Sequence, residues 1–170
     1  HPLPTANAGA DIYVCIGDSK PLQGTGGTIY SWSPATALSD PNSDAPFANP
    51  TDTTIYILTV TDNFGCKDKD SMQVNVLNLP TITSGAPYNI CDNDTIQVSV
   101  AGATSYLWNE NNTLSALNIP NPLAYPSITT TYIVVGTDDY GCKNDTTVTV
   151  TVTPLPPTNI EGNPSICKGE

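Results

Sequence analysis

The chain writes the same pattern twice. Tyr56–Cys66 (YILTVTDNFGC) returns as Tyr132–Cys142 (YIVVGTDDYGC), 76 positions on, and the other landmarks move by the same step. Trp32 recurs as Trp108, and Cys15 recurs as Cys91 and then Cys167. Leu3-Pro4, Leu79-Pro80 and Leu155-Pro156 mark joints at that interval. A fixed period of this kind makes the chain an array of one structural unit. The expected division is 1–78 for the first repeat, 79–154 for the second and 155–170 for the opening of a third. A unit this small buries only about 60% of the surface its unfolded chain exposes, so it needs a staple or a neighbour.

Within each repeat the apolar residues alternate. Ile12 and Val14 share a face, as do Tyr30 and Trp32, Tyr106 and Trp108, and Ile96, Val98 and Val100. Met72, Val74 and Val76 do the same in the last strand of the first repeat, and Val148, Val150 and Val152 in the second. Period two marks half-buried strands. Leu22 stands on the second strand. The Pro-rich passages Ser33–Pro50 and Asn109–Pro126 read as loop and edge strand, because Pro cannot donate to a ladder. Leu38 and Leu114 are expected to plug the core from these passages, together with Phe47 and Leu123 of the shared P-x-A-x-P frame. Asn-Phe-Gly and Asp-Tyr-Gly supply tight hairpin turns. Seven or so short antiparallel strands with a Trp on the third predict an all-β fold of tandem immunoglobulin-like β-sandwiches stacked end to end. Trp32, Trp108, Tyr56 and Tyr132 are then core residues; the competing reading makes Tyr30, Trp32, Tyr106 and Trp108 a sugar-stacking platform.

Charge excludes several roles. A net charge of −11 with only 5 Lys and Arg opposes nucleic-acid binding, which depends on neutralising phosphates. It equally opposes an anionic membrane surface, and no run of 18 apolar residues could span a bilayer. The one His stands at position 1, so no Ser-His-Asp set is expected and the chain reads as a non-enzyme. Charged residues make up 12% of the chain, with Thr, Ser, Asn, Pro and Gly in their place, which suits an extracellular β-protein. Because His1 begins mid-pattern, the chain is expected to be an excerpt of a longer secreted protein.

The motifs Ala6-Asn-Ala-Gly-Ala-Asp11, Gly17-Asp-Ser19, Tyr30-Ser-Trp32 and Val60-Thr-Asp-Asn-Phe-Gly65 resemble a PKD-type domain. The family's W-D-F-G-D-G signature is absent, since Trp32 is followed by Ser-Pro-Ala-Thr. The closer resemblance is to the Cys-containing PKD/Ig-like repeat of very long Bacteroidota surface proteins, among them gliding-motility adhesins and other cargo of type IX secretion. It covers both full repeats and the partial third. It implies a structural stalk or spacer in a large repetitive bacterial cell-surface adhesin or filament. The expected partners are adjacent repeats, other copies in a fibre, or a surface glycan. The rival reading is an accessory carbohydrate- or protein-binding module of a secreted enzyme.

Cys15, Cys66, Cys91, Cys142 and Cys167 recur in phase without any C-x-x-C pair, which points to disulfides in an oxidising compartment rather than zinc. Two pairings stay open. One joins Cys15 to Cys66 and Cys91 to Cys142, inside each repeat. The other joins Cys15 to Cys142, with Cys66 reaching back to a preceding unit and Cys91 forward to a following one. In an immunoglobulin-like unit the two cysteine-bearing turns lie at opposite ends, roughly 20 Å apart for strands of this length. A disulfide needs Cα atoms within about 7 Å, which favours the pairing between repeats.

No cofactor is expected beyond a structural calcium ion at Asp92, Asp94 and Asp138, whose oxygens suit a hard cation. The competing reading is that Asp is a favoured turn residue. Thr53, Ser71, Thr95 and Thr146 each follow an Asp in a D-[S/T] pattern resembling the O-glycan acceptor described for Bacteroidota. N-x-[S/T] occurs at Asn93, Asn111 and Asn144. Phe64 and Tyr140 are expected at exposed hairpin tips.

Overall fold

The computed structural model describes residues 2–85, 87–109 and 112–154. All regular structure among the described residues is β. It clusters into two units, His1–Thr81 with Asp138–Asn144, and Ile82–Thr137 with Asp145–Glu170. The turn before Cys142, which the repeat assigns to the second copy, thus groups with the first unit. Leu155-Pro156 and Cys167 lie outside the described residues.

The first unit carries β1 (Ile12–Cys15), β2 (Lys20–Pro21), β3 (Ile29–Ser33), β4 (Phe47–Ala48), β5 (Thr54–Thr61) and β6 (Lys67–Leu77). One sheet has the order β1-β6-β5-β3, and β2 pairs with β4 in the other. β5 meets β6 antiparallel from Thr54↔Val74 to Thr61↔Lys67, and β3 meets β5 antiparallel with Trp32 opposite Leu58. β1 runs parallel to β6, with Ile12 opposite Val74 and Cys15 opposite Leu77. This corrects the wholly antiparallel expectation. The chain leaves β1 through the Cys15 turn to enter the other sheet, so β1 needs no hairpin link to β6 and can share its direction.

The second unit carries β7 (Thr83–Ser84), β8 (Tyr88–Cys91), β9 (Ile96–Gln97), β10 (Val100–Ala101), β11 (Ser105–Trp108), β12 (Leu123–Ala124), β13 (Thr130–Thr137) and β14 (Lys143–Thr153). Its large sheet has the order β11-β13-β14-β8, and β8 again runs parallel to the last strand, Tyr88 opposite Val150 and Cys91 opposite Thr153. The pairs β10-β7 and β12-β9 cover the other face. Strand order and the buried Trp make both units immunoglobulin-like sandwiches.

The inward face of each period-two strand forms the core. In the first unit Val14, Leu22, Trp32, Tyr56, Leu58, Val60, Met72 and Val74 are buried; in the second Val98, Trp108, Tyr132, Val134, Val148 and Val150 are. Each large aromatic satisfies its polar atom. Trp32 Nε1 donates to Ser43 O at 3.0 Å and Trp108 Nε1 to Ile119 O at 2.8 Å, which pins each Pro-rich passage to its core. Tyr56 Oη donates to Thr36 O at 3.1 Å, and Tyr132 Oη bonds Thr113 Oγ1 at 2.7 Å. Burial pushes both tyrosine hydroxyls above their ordinary pKa.

Phe47 and Leu123 do not plug the core. They are 53% and 45% exposed, while their neighbours Ala48 and Ala124 are fully buried. Adjacent strand residues face opposite ways, and here the small one faces in. Leu114 is buried and Leu38 packs against the core of its unit.

Candidate functional site

β1 ends in a tight turn: Ile16 N donates to Leu77 O at 2.8 Å and Asp18 N to Cys15 O at 2.9 Å. Gly17 takes φ +90 there, a conformation costly for a side chain. This leaves Cys15 at the strand end, half-buried. The second half of the site comes from the turn after β13. Asp138 Oδ1 accepts from Tyr140 N and Cys142 N, both at 2.9 Å, and Gly141 takes φ +85. The carboxylate holds both amides and so fixes the Cys142 backbone.

Cys15 and Cys142 form a disulfide with Cα atoms 5.5 Å apart, within the ordinary range. The bond joins one 76-residue repeat to the other across a sequence separation of 127. The alternative pairing of Cys15 with Cys66 and Cys91 with Cys142 is therefore absent, and Cys66 and Cys91 are free thiols. Cys142 is fully buried. Two residues before each cysteine, the Tyr13 and Tyr140 rings lie 5.9 Å apart at 31°.

Sequence reasoning missed a second set of tethers in the first unit. Asp68 Oδ2 accepts from Ala6 N and Asp70 Oδ2 from Ala8 N, each at 2.8 Å, so two carboxylates of β6 hold the segment before β1. The Ala8 amide holds Asp70 below the usual carboxylate pKa, with the Ser71 amide assisting. The only sequence signal was acidic residues alternating along a strand, which also describes a solvated face. In the second repeat the corresponding positions are Asn144 and Thr146. Asn144 Nδ2 donates to Pro80 O at 3.0 Å.

Among the described residues no three His, Cys, Asp or Glu side chains gather as a group able to hold a metal ion. Asp138 commits Oδ1 to the two turn amides, and Asp94 Oδ2 accepts from Cys91 N at 3.3 Å. Asp92 Oδ1 is buried without a hydrogen-bond partner. Of the proposed O-glycan positions, Thr53, Ser71 and Thr95 are exposed and Thr146 is half-buried. Thr53 Oγ1 also accepts from Val76 N at 3.1 Å. Asn93 is exposed at φ +69, and Asn111 lies outside the described residues.

Trp32 and Trp108 are 2% and 1% exposed, so neither offers a face for stacking. Tyr30 and Tyr106 are half-buried, with their hydroxyls donating to Gly27 O and Ala103 O. Among the described residues the most exposed aromatics are Phe64 and Tyr140, 72% and 69% exposed at their turns. Among the described residues no helix is long and apolar enough to cross a membrane.

The sequence matches no protein-family model and no curated protein. Solved structures similar to it include tandem immunoglobulin domains. A three-Ig segment of titin is 13% identical with a TM-score of 0.42, over 89% of this chain and 66% of that one. Extracellular domains 3–5 of Drosophila OTK are 14% identical with a TM-score of 0.44, over 90% and 61%. The two-domain DIP-gamma structure is 12% identical with a TM-score of 0.39, over 89% and 98%. The chain thus spans less than two thirds of the titin and OTK chains. These are likenesses of fold class.

Proposed function

We propose that this chain is an extracellular spacer, a stalk segment of a large repetitive bacterial cell-surface adhesin or filament protein, and that it transforms no molecule. The observation that carries this reading is the Cys15–Cys142 disulfide, which makes successive repeats covalently continuous at a second place besides the peptide chain. An oxidising compartment is where such a bond persists.

Strand direction supports a mechanical role. In each unit the early strand runs parallel to the last one, β1 beside β6 and β8 beside β14. Tension applied at the two ends of a unit pulls such strands in opposite senses along their own axes. The ladder bonds between them are then loaded together rather than one at a time. Burial of both Trp side chains removes the aromatic platform on which the accessory-binding reading would rest.

Force spectroscopy on the whole chain tests the proposal. With a sequence separation of 127 spanned by the bond, the oxidised chain should extend to a contour length roughly 400 Å shorter than the reduced one. Equal lengths would sink the load-bearing role. Saturable binding of a polysaccharide on a glycan array would favour the accessory module instead.

A further inference from the structure

The two free thiols occupy the same local settings as the two bonded ones. At Cys66, Asp62 Oδ1 accepts from Phe64 N at 2.8 Å and Cys66 N at 2.9 Å, and Gly65 takes φ +82. This reproduces the Cys142 turn bond for bond. At Cys91, Asp92 N donates to Thr153 O and Asp94 N to Cys91 O, both at 3.1 Å, at the end of a strand parallel to β14. That reproduces the Cys15 turn, where Ile16 N and Asp18 N make the corresponding bonds. Cys91 is exposed and lines a surface depression with Asn89, Ile90, Thr95 and Ile96. Cys66 is half-buried at the base of a turn whose tip, Phe64, stands out in solvent.

From these matched halves we infer that Cys91 and Cys66 are the two complementary ends of one heterotypic joint. Cys91 is the socket, and it takes the Asp-x-aromatic-Gly-Cys turn of another copy of this chain, the turn that carries Cys66. The pairing is directional: a strand-end thiol with a hairpin-turn thiol, as in Cys15–Cys142, and never like with like. In the formed joint the tip aromatic Tyr140 lies against Tyr13, two residues before its cysteine. By the same register, Phe64 of the incoming turn would lie against Asn89. Because socket and turn are different surfaces, the contact is heterologous, running head to tail. The inference deepens the spacer reading and rests on it.

The chemistry balances with a small-molecule disulfide as oxidant. Cys66 attacks oxidised glutathione, forming a mixed disulfide and releasing one reduced glutathione. The Cys91 thiolate then attacks the Cys66 sulfur of that mixed disulfide, expelling a second. Two thiols have lost two electrons and two protons, all now carried by two glutathione thiols.

Two full-length variants with a single free thiol test it. Cys66→Ser with Cys167→Ser keeps Cys91, and Cys91→Ser with Cys167→Ser keeps Cys66. Both retain the Cys15–Cys142 linked peptide as the sign of correct folding. Mixed in equal amounts in a glutathione redox buffer, they should give about tenfold more heterodimer than either homodimer, the preference expected from a modest contact energy. Peptide mapping should place the bond at Cys66–Cys91. A statistical mixture, an excess of either homodimer, or monomers left glutathionylated would overturn the inference. The spacer reading fails separately, on the contour length, which depends on Cys15–Cys142 alone.

Discussion

Ile82 fills the space that a β-carbon on Gly136 would occupy. A carbon built there would collide with Ile82 Cδ1 and stand 2.8 Å from Ala103 Cβ. One repeat earlier the same places are held by Ala6, Val60 and Gly27. A β-carbon on Gly27 would lie 2.6 Å from Val60 Cβ. The two repeats therefore fill this space by opposite choices, large on the sheet and small beside it, or the reverse.

That exchange predicts a rescue. Gly136→Val alone should destabilise the second unit by about 1–3 kcal/mol through overpacking. Ile82→Ala alone should cost about 2–5 kcal/mol through the cavity it leaves. Adding Ala103→Gly to the pair copies the first repeat at all three positions, and this triple variant should recover a large part of both losses. Urea unfolding followed by Trp108 fluorescence in a Trp32→Phe background measures the coupling, and strictly additive losses would refute the packing account.

Asp70 gives the first unit an acid-sensitive tether. Its pKa is depressed on folding, so its contribution is complete above the ordinary value of 3.8 and fades as the pH falls through the depressed folded value. Asp70→Asn should cost about 1 kcal/mol at neutral pH, discounted for the group's exposure. The gap between wild type and variant should close in acid. Denaturation midpoints at pH 7 and in strong acid decide the matter, and a gap independent of pH would rule out the charged tether.

Trp108→Phe should destabilise the second unit by about 2 kcal/mol, because it removes packing volume and strands the Ile119 carbonyl that the indole N–H now satisfies. Thermal melting checks this. A variant as stable as wild type would mean that the indole is not a core member.

Removing the cross-link by Cys15→Ser with Cys142→Ser should lower stability by up to about 5 kcal/mol, the chain-entropy value for a loop of 127 residues. Reductant should lower the melting temperature of the wild type and leave the double variant where it is. Equal sensitivity of the two would show that the bond does not contribute.

The strands and both cores were legible because an inward-facing period of two is written directly in side chains such as Met72, Val74 and Val150. Strand direction was not, since alternation reads the same along a parallel or an antiparallel neighbour; hence the surprise at β1 and β6. Phe47 and Leu123 misled because hydrophobicity says nothing about which of two adjacent residues faces inward on a two-residue strand. The turn role of Asp138 was not legible either, because a carboxylate serves a backbone amide as readily as a cation, and only coordinates reveal that its Oδ1 accepts from Tyr140 N and Cys142 N. The roles of Asp68 and Asp70 were hidden because their partners are backbone amides 62 residues away.

The bond from Cys15 to Cys142 also changes what a protease can do to this chain. Every peptide link between those two residues, including the exposed Pro-rich passage Ser33–Pro50, lies inside a covalent ring. A single nick there would open the ring and sever nothing: the fragments would migrate as one species on a non-reducing gel and separate only once thiol is added. A chain cross-linked this way would survive isolated cuts in its loops with its far end still attached.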